Sequence, residues 1–130
     1  MPWVEVFAVF AVSHLVGDYV LQTDWQATHK RGGLGADPES RRALASHILV
    51  YTLAFTPAFV WLGGEIGIAI LPVIALVAIT HWIQDDGRLL TLYILKVKGP
   101  GAAGNRTVAA AADQSLHFLT LLLVSFLAGS

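Results

Sequence analysis

The chain has 130 residues, of which 55% are hydrophobic and only 13% are charged, and its formal net charge is −1. Soluble domains carry about 25% charged residues, so this composition predicts a single domain built for a membrane. The chain has no cysteine, which excludes disulfides and thiolate metal ligands. No interleaving of basic and aromatic residues indicates nucleic-acid binding.

Four apolar runs, each about 20 residues long, match the hydrocarbon thickness of a bilayer. They predict an all-α fold, an integral membrane four-helix transmembrane bundle in one domain (1–130), with spans at 3–26, 43–62, 65–86 and 107–128. Asp37 and Pro38 are typical of the N-cap and the first position of the second helix. Gly63 and Gly64 predict a tight turn before the third helix.

Other local signals refine this outline. Pro57 and Pro72 predict kinks in the second and third helices, because proline removes a helical hydrogen bond. The apolar segment after Gly87 is too short to span, which predicts an extension of the third helix or an interfacial helix. We interpret the first run as a retained span and not a signal peptide, because His14 and Asp18 interrupt it.

The basic residues predict the orientation. The first connection between spans holds Lys30, Arg31, Arg41 and Arg42, and the third holds Arg88, Lys96, Lys98 and Arg106. The second connection and the two ends of the chain hold none. Because positively charged loops stay in the cytoplasm, both ends of the chain are expected outside (N-out/C-out).

Histidine and aspartate residues recur one helical turn apart inside these apolar runs. The pairs are His14 with Asp18 (followed by Gln22), His81 with Asp85, and Asp113 with His117, while His47 stands alone early in the second run. Residues four apart share a helix face. With the predicted topology, antiparallel helices bring all of these groups to one level near the cytoplasmic side.

Ionisable groups within a membrane are costly unless they are paired or ligated. A shared divalent metal would satisfy the whole set, and zinc, or else iron or manganese, suits imidazole and carboxylate ligands. The candidate metal ligands are His14, Asp18, His47, His81, Asp85, Asp113 and His117. The three aspartates are also the candidate catalytic residues, as ligands, as a general base or as groups that orient a ligand histidine.

Seven groups exceed the three or four protein ligands of one zinc ion, so the pattern also allows two metals. Some aspartates would otherwise support ligand histidines on another helix. Gln22 and Gln114 are expected to be hydrogen-bonding neighbours of the site. Asp86 is expected to face the membrane interface, and Asp24 and His29 are expected to be solvated.

These motifs resemble those of a known family. The segment His14-Leu-Val-Gly-Asp18-Tyr-Val-Leu-Gln22-Thr-Asp-Trp25, the lone His47 ahead of Tyr51, His81-x-x-x-Asp85 and Asp113-Gln114-x-x-His117 occur in the order of a bacterial family of small membrane proteins, domain of unknown function 3307. The resemblance covers nearly the whole chain. It implies a compact helical domain in the bacterial inner membrane whose polar motifs matter, and it implies no known activity.

A metal near a water-accessible mouth can generate a hydroxide nucleophile. The leading hypothesis is therefore a cytoplasm-facing, metal-dependent hydrolase that acts on a membrane lipid or another amphipathic substrate. Arg41, Arg42 and Arg88 would hold anionic lipid head groups. The alternatives are an ion or proton transporter, a haem-binding protein and a structural membrane subunit. The bundle is also a candidate homodimer.

Overall fold

The computed structural model describes residues 1–130, and all of its regular elements are helical. The helices are α1 (Trp3–Leu15), α2 (Asp24–His29), α3 (Pro38–Ala54), α4 (Thr56–Ile66), α5 (Ile70–Asp86), α6 (Arg88–Tyr93), α7 (Pro100–Ala103) and α8 (Arg106–Ala128), with π-helical turns at Val16–Val20 and Ile94–Lys98 and a 3-10 turn at Gly67–Ala69. The predicted all-α class is confirmed.

The starts of α2 and α3 are set by side-chain caps. The carboxylate of Asp37 accepts a hydrogen bond from the backbone N–H of Ser40 at 2.9 Å, and Pro38 follows it, as the sequence predicts. Hydrogen bonds to the charged form lower the pKa of Asp37 below its usual value. Thr23 and Gln26 form a capping box at α2. Such caps satisfy amide groups that the first helical turn leaves unpaired.

The turn between the second and third predicted spans lies later in the chain than predicted. Gly63 and Gly64 both remain inside α4. The chain turns instead at Gly67, whose φ of +61° is a conformation that glycine adopts at little cost. The predicted third span, 65–86, therefore begins as a helix only at Ile70.

Of the other expected helix features, one agrees with the structure and two differ. The chain is interrupted between α3 and α4, just before Pro57, as predicted. Pro72 lies in the first turn of α5, where its missing N–H costs no helical hydrogen bond, so the kink predicted there is wrong. The predicted span 3–26 is not one helix, because α2 is separate from α1 and its π-helical turn. Gly87, with φ of +87°, separates α6 from α5.

Three helical stretches are long and apolar enough to cross a membrane, namely Trp3–Val20, Thr56–Asp86 and Arg106–Ala128. The second of these has 31 residues and includes the turn at Gly67. Large apolar side chains cover much of the outer surface, including Val12, Leu49, Val60, Ile79 and Leu123, which are 53–72% exposed. Soluble monomers rarely expose so much apolar surface. These are features of a membrane protein, while the four spans and their orientation stay predictions.

The interior of the bundle has an aromatic part and a polar part. α1 packs on α8, α3 packs on α5, and α5 packs on α8. Phe10, Phe55 and Phe59 form an aromatic cluster with ring centroids 5.5–6.1 Å apart. Tyr51 lies at the boundary, because its ring contacts Phe55 and also stacks on His81. The buried histidine and aspartate side chains begin at this tyrosine.

Candidate metal centre

Every candidate ligand lies in or beside one buried cluster. Six of them are at most 6% exposed: His14 on α1, Asp18 on the π-helical turn, His47 on α3, His81 and Asp85 on α5, and His117 on α8. Asp113 lies at the edge, with its side chain 23% exposed. Asp24 and His29 are exposed outside the cluster, as expected. The helices therefore bring these groups to one level, as their spacing predicts.

A π-helical turn at the end of α1 positions Asp18. The backbone N–H of Leu21 donates to the carbonyl oxygen of Val16, five residues earlier, at 2.9 Å, so this turn is wider than an α-helical turn. Gly17 in the same turn packs on Tyr51, and a β-carbon at Gly17 would lie 2.6 Å from Tyr51 Cδ2. The absence of that carbon lets the turn approach α3 closely enough for Asp18 to contact His47.

Four potential metal-ligand atoms face one another at the centre of the cluster: Asp18 Oδ1, Asp85 Oδ2 and the Nε2 atoms of His47 and His81. The two Nε2 atoms are 3.1 Å apart. Each of them lies 3.1 Å from Asp18 Oδ1. Asp85 Oδ2 is 2.8 Å from His47 Nε2 and 3.0 Å from His81 Nε2. Five of the six separations among these four atoms are therefore 2.8–3.1 Å.

This arrangement suits a tetrahedral metal ion. Zinc bound at about 2.0–2.2 Å has neighbouring ligand atoms about 3.3–3.6 Å apart, so these five separations need to lengthen by only a few tenths of an ångström. Asp18 Oδ1 is buried and has no hydrogen-bond donor, and an anionic oxygen buried in this way is costly. A cation at the centre would supply the partner that Asp18 lacks.

The outer nitrogens of two of these rings, Nδ1 of His47 and Nδ1 of His81, have no hydrogen-bond partner. Metal-bound histidines usually donate this hydrogen to a carbonyl or carboxylate group, so the cluster departs from the common pattern. Stacking holds the His81 ring instead. It lies on Tyr51 with ring centroids 3.5 Å apart and an interplanar angle of 7°.

His117 has a partner on each of its nitrogens. Nδ1 lies 2.7 Å from the backbone oxygen of Asp113, and because a carbonyl only accepts, Nδ1 carries the hydrogen. Nε2 of the neutral ring then directs a lone pair at Asp85 Oδ1, 3.0 Å away. Because two lone pairs repel each other, the contact between His117 Nε2 and Asp85 Oδ1 requires a proton or a cation. His117, Asp18, His81 and Asp85 offer ligand atoms that all lie within 4.8 Å of one another.

His14 supports the cluster from beside the four central atoms. Its Nε2 lies 2.7 Å from Gln114 Oε1, and its Nδ1 lies 2.8 Å from the Tyr51 hydroxyl oxygen. The ring therefore donates to the glutamine and accepts from the tyrosine. The Gln114 amide donates to Asp18 Oδ2 at 3.3 Å, which is the hydrogen-bonding role expected of Gln114. Metal coordination by His14 would require one of these bonds to break.

Lys30, which sequence reasoning did not single out, also reaches the cluster. Its Nζ donates to Asp85 Oδ2 and to Gln22 Oε1, each at 2.7 Å. Gln22 also donates to the backbone oxygen of Asp18 at 3.1 Å, so it has the hydrogen-bonding role expected of it. In the sequence, Lys30 looks like part of a solvated basic loop, and no local signal distinguishes it.

Asp86 holds the loop after Lys30 against the bundle. Its Oδ1 accepts from the N–H of Leu34, and its backbone oxygen accepts from the N–H of Gly32, each at 2.9 Å. Oδ2 lies 3.2 Å from Arg88 Nε. Asp86 is only 4% exposed, and its carboxylate binds the loop and Arg88 and not the central atoms of the cluster. Its expected place at the membrane interface stays a prediction.

The charges of the cluster do not balance without further cations. Asp18, Asp85 and Asp113 each carry a negative charge, and Lys30 supplies one positive charge. With neutral imidazoles, two negative charges remain in a site that is almost closed to water. Burial of uncompensated charge is strongly unfavourable, so the site needs two protons on its imidazoles or one divalent cation.

Comparison with known proteins identifies the family but no activity. The chain matches the family described as "Protein of unknown function (DUF3307)" over residues 6–130. No curated protein and no solved structure shows a significant match. The match covers the four polar motifs and all of the residues of the buried cluster. The chain therefore belongs to the DUF3307 family, as its motifs predict.

Proposed function

We propose that the protein is an integral membrane protein with four spans and both ends outside, and that its cluster lies near the cytoplasmic surface of the bacterial inner membrane. The apolar stretches of spanning length and the apolar outer surface support insertion. The restriction of Lys and Arg to two connections supports the orientation. A homodimer is compatible with this arrangement.

The cluster binds one divalent metal through Asp18, His47, His81 and Asp85. The contacts of 2.8–3.1 Å among their four facing atoms carry this proposal. Zinc is the first candidate, and iron or manganese would accept the same ligands. One metal is sufficient, because the three remaining candidates interact with neighbouring residues instead. His14 contacts Tyr51 and Gln114. Asp113 contacts His117, whose other nitrogen faces Asp85 Oδ1.

The chemistry proposed for this centre is hydrolysis of a membrane lipid or another amphipathic substrate. A divalent metal would supply a hydroxide nucleophile near neutral pH and would polarise the bond to be cleaved. His117 is the proton acceptor, because its Nδ1 is occupied by Asp113 and its Nε2 faces the centre. Lys30 stabilises the Asp85 carboxylate, and Gln114 orients Asp18.

A groove beside α8 offers a lateral route to the centre. It has a volume of about 290 Å³, and leucines such as Leu89, Leu116 and Leu123 line it together with Asp113. Asp113 is the most exposed of the seven candidate ligands, and its backbone oxygen accepts a hydrogen bond from His117 Nδ1. A groove that is mainly apolar and has this carboxylate in its wall suits an acyl chain whose polar group lies near the centre.

An activity screen on metal-loaded, detergent-purified protein tests the hydrolase proposal. The probes are chromogenic carboxylic and phosphate esters with short or long acyl chains, each with and without a chelator. We expect metal-dependent turnover that is lost in Asp85→Asn and kept in Asp24→Asn, which alters an exposed aspartate outside the cluster. Stoichiometric metal without turnover of any ester would contradict the hydrolase proposal and leave the metal site standing.

A proton or ion pathway is the second candidate, and a chain of contacts favours it. Polar contacts continue from His14 through Gln114 and Asp18 to His81 and Asp85. Beyond Tyr51, however, the interior is the aromatic cluster described above, which offers no proton carrier. Proton uptake into liposomes that contain the wild-type protein, and its loss in His81→Ala, would favour a transporter over a hydrolase.

Haem binding is less compatible with the geometry, and a purely structural role is the remaining alternative. The rings of His14, His47, His81 and His117 pack with centroids 4.6–5.9 Å apart, which leaves no gap for a porphyrin. A Soret band in the purified protein would reverse this preference. A structural cluster would hold no metal, and histidine variants would then only lower the melting temperature.

A further inference from the structure

A second polar site lies beside the metal centre. A cleft of about 350 Å³ includes Arg31, Arg88 and Thr91 among its polar lining residues and is also lined by Leu92 and Leu95. We propose that this cleft binds an anionic phospholipid, with its phosphate at the two guanidinium groups and an acyl chain along the leucines. Neither Arg41 nor Arg42, the other expected head-group residues, lines the cleft.

Contacts with neighbouring residues position both arginine side chains and leave guanidinium N–H groups available to bind an anion. Arg88 Nε lies 3.2 Å from Asp86 Oδ2 although the Arg88 side chain is 62% exposed, and its terminal nitrogens have no carboxylate partner. Arg31 forms no ion pair, and its aliphatic part lies along Gly87. A β-carbon at Gly87 would be 3.5 Å from Arg31 Cγ, and the φ of +87° there also favours glycine.

Asp86 does not neutralise the cleft. Both of its carboxylate oxygens are occupied, one by the N–H of Leu34 and the other by Arg88. Two guanidinium groups therefore face a single carboxylate, and the cleft has a net positive charge. Guanidinium groups form paired hydrogen bonds with phosphate oxygens, so a phosphate group is the anion that best complements this pair.

The apolar side of the cleft makes a lipid a better occupant than free phosphate. Leu92 and Leu95, three residues apart on α6 and the following turn, line the cleft and are 45–49% exposed. Lys96 and Lys98 follow them. An apolar helix surface with basic neighbours is typical of a segment that lies at a membrane interface. A phospholipid would use both the arginines and the leucines.

The cleft and the metal centre are built from the same two chain segments. Lys30 and Asp85 form a 2.7 Å ion pair in the centre, while their chain neighbours Arg31 and Asp86 line the cleft. A head group in the cleft would therefore contact chain neighbours of the Lys30–Asp85 pair. Where the proposed hydrolase function holds, this placement favours an anionic phospholipid as the class of substrate. Lipid binding by the cleft does not itself depend on that function.

Lipid titration of the detergent-purified protein tests this proposal. The probe is short-chain phosphatidylglycerol below its micelle concentration, compared with short-chain phosphatidylcholine and with inorganic phosphate, and tryptophan fluorescence reports binding. We expect phosphatidylglycerol to bind about tenfold or more tightly than either comparison compound, because inorganic phosphate has no acyl chain and the choline cation of phosphatidylcholine is repelled by the two guanidinium groups. Leu92→Asn should weaken phosphatidylglycerol binding and leave phosphate binding unchanged.

Charge-removing variants supply the matched control. The double variant Arg31→Gln/Arg88→Gln should lose about tenfold or more in phosphatidylglycerol affinity. Arg41→Gln/Arg42→Gln removes the same charge from exposed positions of α3 and should bind as the wild type does. If the first double variant does not fold, Arg31→Gln alone keeps the Asp86–Arg88 pair intact and should still weaken binding.

Three results would overturn the lipid site. They are equal losses in the two double variants, equal affinity for phosphatidylcholine, and inorganic phosphate that binds as tightly as phosphatidylglycerol. Metal content measured on the same samples separates this proposal from the metal centre. Phosphatidylglycerol binding by a protein that holds no metal would contradict the centre and keep the lipid site.

Discussion

Removal of the metal should lower the melting temperature of the purified protein by a large amount. Without a cation, the carboxylates of Asp18, Asp85 and Asp113 outnumber the single ammonium group of Lys30, and Asp18 Oδ1 has no donor. A metal that binds only the folded chain stabilises it by about 4.1 kcal/mol when its free concentration is 1,000 times the Kd. The folded protein should lose this stabilisation when a chelator is added.

The corresponding temperature shift can be worked out from the size of the domain. For a chain of this length, a loss of 1 kcal/mol lowers Tm by about 3–5 °C, so complete removal of the metal should lower it by about 12–20 °C. The measurement is thermal denaturation in one detergent, before chelation, after chelation and after zinc is added back. The last step should restore the original Tm.

Two variants make this measurement specific to the cluster. His81→Ala should begin at a lower Tm and should not respond to the chelator, because it lacks a ligand. His29→Ala, which removes an exposed histidine outside the cluster, should respond as the wild type does. An unchanged Tm in wild-type protein from which elemental analysis shows that metal has been removed would refute the charge-balance reasoning.

Four further substitutions test contacts that support the site and the helices around it. Gly17→Ala places a β-carbon 2.6 Å from Tyr51 Cδ2 and should cost about 1–3 kcal/mol in thermal denaturation. Gly64→Ala, where a β-carbon meets nothing within 4 Å, should instead stabilise α4 by about 0.5–1 kcal/mol. Tyr51→Phe leaves His14 Nδ1 without its donor and should cost about 1–3 kcal/mol, while elemental analysis should find the metal retained. Asp37→Ala removes the α3 cap and should lower the free energy of unfolding. Because folding lowers the pKa of Asp37, the stability difference between wild type and variant should be complete when the pH is above the ordinary pKa of 3.8, and it should decrease as the pH falls below that value. Equal effects of Gly17→Ala and Gly64→Ala on stability would contradict the close contact at Gly17. Metal loss in Tyr51→Phe would contradict the role given to Tyr51, and a pH-independent effect of Asp37→Ala would contradict the cap.

The convergence of the cluster could be predicted from the sequence because two independent patterns agree. The spacing of His81 and Asp85, like that of Asp113 and His117, puts each pair on one helix face. Their distance from the ends of apolar runs then puts the pairs at one depth. The helix cap at Asp37 could be predicted for a similar reason, since capping depends on adjacent residues alone.

The features that could not be predicted depend on packing between distant segments. Lys30 reaches Asp85 because Asp86 binds the backbone of the following loop, across more than fifty positions of sequence. The π-helical turn depends on the contact between Gly17 and Tyr51. The Gly63-Gly64 pair is a strong local turn signal, yet α4 continues through it and ends at Gly67, where the positive φ occurs.

Elemental analysis of the detergent-purified protein tests the metal centre most directly. Cells are grown with zinc, iron and manganese supplied, and the wild type is compared with His81→Ala, Asp85→Asn and the control His29→Ala. We expect one metal ion per chain in the wild type and in His29→Ala, and little or none in the two cluster variants. A folded wild-type protein without metal, or equal metal content in all four proteins, would contradict the proposed centre.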